Sequence, residues 1–259
     1  MNILFVGDIV GSPGRSIFAL TATRWKQTGK ADVVIANAEN AAAGRGITPA
    51  LAEELFAAGA DALTLGDHTW DQRELIPYLD REPRIVRPAN FAPGCPGRGH
   101  TRIETPKGPL LLINLIGRVF MPPQDCPFRA VDRLLNESRG DARMALVDMH
   151  CEATSEKIIT GRYLDGRVSA VVGTHTHVQT ADEAILPRGT AYITDAGMTG
   201  PKDSVLGRAV EPVLSRFLTG MPAKFDIAKG DIRLEGVLLD IDPDTGRARS
   251  IKRVSERAS

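Results

Sequence analysis

Four of the five histidines in this chain fall in three short clusters, Gly66-Asp67-His68, Met149-His150 and His175-Thr176-His177, and each cluster follows an apolar run that reads as a β-strand. Neutral imidazole is the commonest metal ligand, and two carboxylates stand in comparable places: Asp8 after Ile3-Leu4-Phe5-Val6, and Glu39 after Val33-Val34-Ile35-Ala36. Five strand ends therefore offer nitrogen or oxygen donors. In an open α/β sheet such ends share one crevice, so five distant segments could meet around divalent cations.

Each cluster also has a plainer reading. A spacing of two would put His175 and His177 on one face of an extended segment, suited to a dication, though two solvated loop histidines would look the same. Asp8 and Glu39 are hard oxygen donors, and Gly7 and Gly11 would let backbone approach an ion or a phosphate. Asp8 could equally be a turn residue or a cap. The run Gly7 to Gly14 lacks the G-x-G-x-x-G spacing, which excludes a dinucleotide cofactor there. Asn40 could offer a carbonyl ligand or simply make a turn. At Gly66-Asp67-His68, Asp67 could hold metal while His68 faces a substrate. The alternative is an Asp cap on the Thr69-Trp70 turn with His68 packed on Trp70. His100, in a Pro/Gly-rich stretch, reads as a surface residue, and Cys151 beside His150 as a small buried apolar side chain. Asp148 and Thr174 are candidates to orient the ligands next to them.

The elements that must position these residues alternate in the first two thirds of the chain. Buried strands are expected at 3–6, 33–36, 62–65, 144–147 and 170–172. Helices are expected to start at Ser12-Pro13, with Ser as cap, and at Thr48-Pro49, and to stop near Gly29 and Gly59. Residues 87–100 read as a loop, followed by a hairpin over 101–116 that turns at Pro106-Lys107-Gly108. After Gly200 the pattern changes to long alternating strands, with a hairpin turn at Asp242-Pro243-Asp244-Thr245-Gly246.

Composition narrows the partners. Lys plus Arg, at 32, equals Asp plus Glu, at 32, so net charge argues for neither nucleic acid nor a membrane surface as a standing partner. Three cysteines without C-x-x-C spacing fit a reducing compartment. Neither a signal peptide nor an apolar stretch of membrane-spanning length is visible, so the expected location is the cytoplasm and the expected organisation is one domain over 1–259. A homo-oligomer is compatible with all of this.

In combination, Gly7-Asp8, Asn37-Ala38-Glu39-Asn40, Gly66-Asp67-His68, Met149-His150 and Gly173-Thr174-His175-Thr176-His177 stand in the order of the calcineurin-like metallophosphoesterases. The chain resembles more closely their YmdB-like branch, bacterial cytoplasmic phosphodiesterases acting on cyclic nucleotides. The likeness extends from Met1-Asn2-Ile3-Leu4-Phe5-Val6-Gly7-Asp8 to Thr194-Asp195-Ala196-Gly197-Met198-Thr199-Gly200. The resemblance implies a four-layer α/β/β/α sandwich with mixed sheets and two divalent metals, iron or manganese first, with zinc, cobalt or magnesium as alternatives. It assigns Asp8, Glu39, Asn40 and His177 to one metal, lets Glu39 bridge, and gives Asp67, His150 and His175 to the other. His68 becomes the proton donor. The implied substrate is a small phosphodiester, a 2′,3′-cyclic or 3′,5′-cyclic nucleotide, attacked by a hydroxide held between the cations. Two other classes share parts of this pattern: an amidohydrolase-type metal hydrolase, which also uses His-x-His, and a non-catalytic nucleotide-binding regulator on the same fold. With only 5% aromatic residues, the sequence locates no base-stacking pocket.

The family pattern at the third cluster is usually Gly-Asn-His, and this chain departs from it with Asp67. An ionised carboxylate there lowers the net charge of two dications and their ligands from about +1 to about zero, which holds metal more tightly but weakens its pull on an anionic ester. Asp67→Asn is therefore expected to lose metal to a chelator more readily, yet to turn over at least as fast when metal is in excess. Tighter metal retention by the variant than by the parent would contradict the charge argument.

Overall fold

Alternate side chains of a strand leave it on opposite faces, and here both faces of the central strands are buried, so each strand serves two cores. The computed structural model describes residues 1–258. In β1 (Asn2–Val6), Leu4 and Val6 pack with Ile17, Phe18 and Trp25, while Ile3 and Phe5 pack with Leu112, Leu146 and Val172 of a second sheet. The same division in the other long strands produces the expected four-layer α/β/β/α sandwich.

The first sheet has eight strands. Parallel to β1 run β3 (Val33–Asn37), β4 (Ala62–Thr64) and β5 (Ile85–Val86). On the other side of β1 lies the antiparallel β13 (Gly230–Ile241), which also pairs with β14 (Ala248–Arg257) and β12 (Met198–Asp203), and β12 in turn pairs with the short β2 (Asp8–Ile9). The second sheet has six strands: parallel β7 (Leu110–Ile116), β8 (Met144–His150), β9 (Ala170–Thr174) and β11 (Ala191–Ile193), with β6 (His100–Ile103) and β10 (Ala184–Ile185) antiparallel at its edges. Helices α1 (Gly11–Gln27) and α2 (Pro49–Ala57) cover the first sheet, and α4 (Pro127–Glu137) and α5 (Thr154–Leu164) the second. A single turn, α3 (Ile76–Leu79), and α6 (Val210–Thr219) complete the chain.

Parallel pairing gives β1, β3, β4, β8 and β9 a common direction within each sheet, so every cluster singled out above emerges at a carboxyl end. Toward that end the faces between the sheets turn polar. In β8 the inward series is Met144, Leu146, Asp148, His150; in β3 it is Val33, Ile35, Asn37; in β4, Ala62 and Thr64; in β9, Ala170, Val172 and Thr174.

Several local expectations are corrected. Helix α1 starts at Gly11 after Val10, which makes no side-chain cap, so Ser12 lies inside the first turn. Thr48 does cap α2, its hydroxyl accepting from the Leu51 N–H at 3.2 Å. Helix α6 interrupts the stretch read as long alternating strands: Val210, Val213, Leu214, Phe217 and Leu218 recur at helical spacing on one face, a period the strand reading passed over, and of these only Val213 is buried. His100, expected at the surface, is half-buried at the start of β6. Among the described residues no helix is long and apolar enough to cross a membrane, and Cys95, Cys126 and Cys151 are free thiols.

Phe5, wholly buried between the two sheets, is the largest side chain that β1 gives to that core. Phe5→Ala should cost about 3–5 kcal/mol, read as a lowered urea midpoint at unchanged slope.

Candidate metal centre

The strand ends bring Glu39, Asp67, His150 and His175 together, with one ligand atom from each lying within 4.8 Å of the others. His150 Nε2 stands 3.0 Å from Glu39 Oε1 and 3.0 Å from Asp67 Oδ1, and His175 Nδ1 stands 3.3 Å from Asp67 Oδ1 and 3.1 Å from His150 Nε2. Asp8 adjoins this group. Its Oδ2 accepts the His175 backbone N–H at 3.2 Å, and its Oδ1 lies 3.5 Å from His177 Nε2. Asn40 Nδ2 donates to Gly44 O at 3.2 Å, which fixes the amide and leaves Oδ1 free.

Gly66 makes the approach possible. A Cβ there would collide with His150 Nε2 and Glu39 Oε2, inside the space where the donors converge.

The route by which His175 and His177 reach the cluster differs from the expected one. Strand β9 ends at Thr174, and both histidines take left-handed backbone, with φ of 92° and 62°. They are therefore not neighbours on one face of an extended segment. Two consecutive turns send His175 toward Asp67 and His177 toward Asp8. Non-glycine residues in that region need support from their surroundings, and Thr176 between them supplies it. Its N–H and hydroxyl both donate to Asp195 Oδ2, at 3.1 and 2.7 Å, and Asp195 is paired at 2.7 Å with Lys157, both residues fully buried.

Each imidazole turns one ring nitrogen to the carboxylates and gives the other a partner. The Thr174 hydroxyl donates to Asp148 Oδ1 at 2.6 Å, so its contact of 2.9 Å with His150 Nδ1 must be one it accepts. His150 thus carries a proton on Nδ1 and presents Nε2 to Glu39 and Asp67. Asp148 also accepts from Thr64 and from Asn37 Nδ2, and burial pushes its carboxyl up to about 6. His175 Nε2 faces Glu152 Oε2 at 3.2 Å, and His177 Nδ1 faces the Leu206 carbonyl at 3.4 Å. Such outer partners select the ring face that coordinates a metal.

His68 stands apart from the donors. Its backbone N–H donates to Glu39 Oε2 at 2.9 Å, and its ring Nδ1 meets Asp71 Oδ2 at 3.0 Å, while Asp71 is also held by Arg45 at 2.9 Å. Trp70 packs on Phe91 rather than on His68, with ring centroids 5.5 Å apart. His100 lines a different cavity, with Asp80 and Arg98. Burial pushes the Cys151 thiol up to about 12, in keeping with an inert apolar role. Glu152, Asp71 and Lys157 escaped notice in the sequence, although Glu152 lies two residues from His150 and Asp71 three from His68, and Asp195 stood in the Thr194–Gly200 stretch without a role of its own.

The donor set fits divalent cations. Asp8 Oδ1 and Asn40 Oδ1 are buried and make no hydrogen bond, which is costly for oxygen atoms with nothing else to satisfy them. Burial works to raise the Asp8 and Asp67 carboxyls, yet the neighbouring histidines hold both well below the usual carboxylate range. His150 is held well above the usual imidazole range against the opposing effect of burial, chiefly by Glu39. The cluster calls for positive charge. Mixed imidazole, carboxylate and amide donors suit Mn, Fe, Co or Zn.

A model of the YmdB-like protein family matches residues 4–254. A 2′,3′-cyclic-nucleotide 2′-phosphodiesterase of Bacillus subtilis (strain 168) is 50% identical over 254 residues, covering 98% of this chain and 96% of that protein. The crystal structure of a hypothetical protein from Thermus thermophilus superposes with a TM-score of 0.94 at 44% identity, covering all of both chains. That of a Mycoplasma pneumoniae phosphatase gives 0.92 at 34%, covering 99% of this chain and 93% of the other.

Glu152 tests the orientation argument, because it touches His175 only on the side away from the carboxylates. Glu152→Ala should weaken metal retention by about 10-fold or more in a chelator competition, whereas Glu152→Gln, which can still accept from Nε2–H, should recover most of it.

Proposed function

The chain belongs to the YmdB-like family, and from that premise we propose that it is a metal-dependent phosphodiesterase that hydrolyses cyclic nucleotides, 2′,3′-cyclic ones first, with two divalent ions at the strand ends. The observation that carries the reading is the convergence of Glu39, Asp67, His150 and His175 within 4.8 Å, beside two buried oxygens, on Asp8 and Asn40, that have no hydrogen-bond partner.

Asp8, Glu39, Asn40 and His177 would hold one ion, and Asp67, His150 and His175 the other, with Glu39 shared between them. Iron or manganese is the proposed occupant. When bound, such ions supply Lewis acidity toward phosphoryl oxygens and a water acidic enough to attack at neutral pH. The remaining work falls to the chain. Asp71 fixes the His68 ring through Nδ1, which leaves Nε2 for the substrate. As water adds to phosphorus, releasing one proton to solvent, and the bond to the ribose 2′ oxygen breaks, His68 gives that oxygen its proton and is reprotonated from solvent, so that no net proton is consumed. The Lys157–Asp195 pair and Thr176 hold the strained turns that present His175 and His177. Strand β13 connects the last strands to β1, which favours residues 1–259 working as one unit, and the free thiols fit a reducing, cytoplasmic setting. An amidohydrolase reading loses its footing, because its His-x-His lies on an early strand of a closed barrel and these sheets form an open sandwich.

Metal analysis together with hydrolysis of 2′,3′-cyclic AMP tests the proposal. Metal with turnover supports it, and nucleotide binding without turnover would indicate a regulator. His68→Ala should lower kcat on 2′,3′-cyclic AMP by about 10²- to 10⁴-fold with metal content unchanged. The loss should be smaller on bis(p-nitrophenyl) phosphate, whose leaving group needs little protonation. Full activity of the variant on the cyclic nucleotide would rule the role out.

A further inference from the structure

One cavity, of about 340 Å³, contains two chemistries side by side. Its floor is Glu39, Asn40, His68, His175 and His177. Its wall is apolar, built from Leu206, Val213, Phe217 and Phe225. The wall side chains come from segments that supply none of the donors: the turn before α6, α6 itself, and the irregular passage after it. Phe217 is 83% exposed and Leu206 48%. Large apolar side chains left open to water beside a charged site are suited to a ligand that is anionic at one end and flat and apolar at the other.

The wall is anchored to the floor. Leu206 holds left-handed backbone, with φ of 52°, and its carbonyl is the group 3.4 Å from His177 Nδ1. Arg208 ties three segments together: its guanidinium donates to Ala43 O at 3.0 Å, Gly44 O at 2.8 Å and Phe225 O at 3.2 Å. Ala43 and Gly44 belong to the loop that carries Glu39 and Asn40. The distance from the cluster to the wall is thus set by hydrogen bonds rather than left to a loose loop.

We propose that this wall seats the nucleobase of the substrate, face against Phe225 and Phe217, and that it accepts purines and pyrimidines alike. The inference rests on the phosphodiesterase reading and adds to it the part of the substrate that lies one ribose away from the phosphorus. The four wall side chains offer no hydrogen-bonding group. Arg208 gives its donors to the Ala43, Gly44 and Phe225 carbonyls, and the Arg216 guanidinium lies over the Phe225 ring, 5.4 Å from its centroid, where it meets the aromatic face and leaves the other face for the base. A base held there is recognised by its flat face, which every base has, and not by its edge.

The test uses the metal-loaded protein and two probes that separate the ends of the ligand. Adenosine carries the base without phosphate; glycerol 1,2-cyclic phosphate carries the cyclic diester without a base. Adenosine and uridine should both bind, measured by saturation-transfer NMR, and both should compete with 2′,3′-cyclic AMP. Phe225→Ala should weaken adenosine by about tenfold or more and lower by a similar factor the kcat/KM ratio of 2′,3′-cyclic AMP over glycerol 1,2-cyclic phosphate. Phe217→Ala should act in the same direction, and its high exposure makes it safe for folding. Ratios of kcat/KM among the four 2′,3′-cyclic nucleotides should stay within about tenfold. Adenosine that does not bind, or binding and selectivity that both variants leave untouched, would overturn the base seat even if glycerol 1,2-cyclic phosphate is turned over. Adenosine bound in a Phe225-dependent way by a protein that hydrolyses neither diester would instead remove the phosphodiesterase reading and leave the seat standing.

Discussion

Buried carboxylate charge is the constraint around which this molecule is organised. Asp8 and Glu39 are almost completely removed from water, and an isolated ion so placed costs several kcal/mol unless opposite charge and hydrogen bonds meet it. The chain does not meet it with lysine or arginine. Lys157 is committed to Asp195, Arg208 to carbonyls and Arg45 to Asp71. A permanent cation would satisfy the acids and close the site. Imidazole is different in kind: protonated, it can stand in for a cation among carboxylates, and neutral, it can offer a lone pair to a metal that replaces the proton. Histidines among acids are therefore an arrangement that can exist without an ion and still admit one.

Holding such a group in place demands a polar layer behind it, and the two-sheet design supplies one without opening the core to water. Each inward-facing series runs from apolar to polar toward the carboxyl end, and the last members bond across the gap between the sheets. Asn37 and Thr64 from the first sheet and Thr174 from the second all meet Asp148, while Asn114 Nδ2 donates to the Leu65 carbonyl at 2.6 Å. A hydroxyl between Asp148 and His150 then settles which nitrogen faces the acids. The apolar part of the same faces fixes the sheets at one spacing. The cluster is thus rigid for the reason that any core is: its supports are packed on both sides.

How much of this the sequence disclosed depends on the range of each interaction. Continuous apolar runs announced buried parallel strands, and Gly7-Asp8, Glu39, Asp67, His150 and His175 each stood at the end of one, so their meeting in a crevice could be foreseen from strand direction alone. Thr48 as a cap and the turn at 242–246 are local chemistry and equally readable. The conformation of His175-Thr176-His177 was not, because it is imposed by Asp195 and Lys157, 19 residues away on either side of Thr176. Glu152 and Asp71 have ordinary surroundings in the sequence and acquire meaning only through the ring nitrogen each one faces. Helix α6 was legible in principle, since Val210, Val213, Leu214, Phe217 and Leu218 keep helical spacing on one face, but that face lies mostly open instead of in the core, with Phe217 beside the cavity, where its role concerns a ligand and not the core.

That last contrast separates two jobs that a diesterase site must combine. Residues at the strand ends are embedded in the sandwich, and a change in any of them disturbs charge balance, ligand orientation and packing together. Residues of the wall touch the core lightly, Val213 being the only buried member of α6, and reach the floor through a few carbonyl contacts of Arg208 and Leu206. Binding energy realised far from the reacting phosphorus can be adjusted there with little effect on the machinery that breaks the bond. Selectivity for the non-reacting part of a substrate is accordingly free to drift in this fold while the donors at the strand ends are not, because only the donors carry the cost of buried charge.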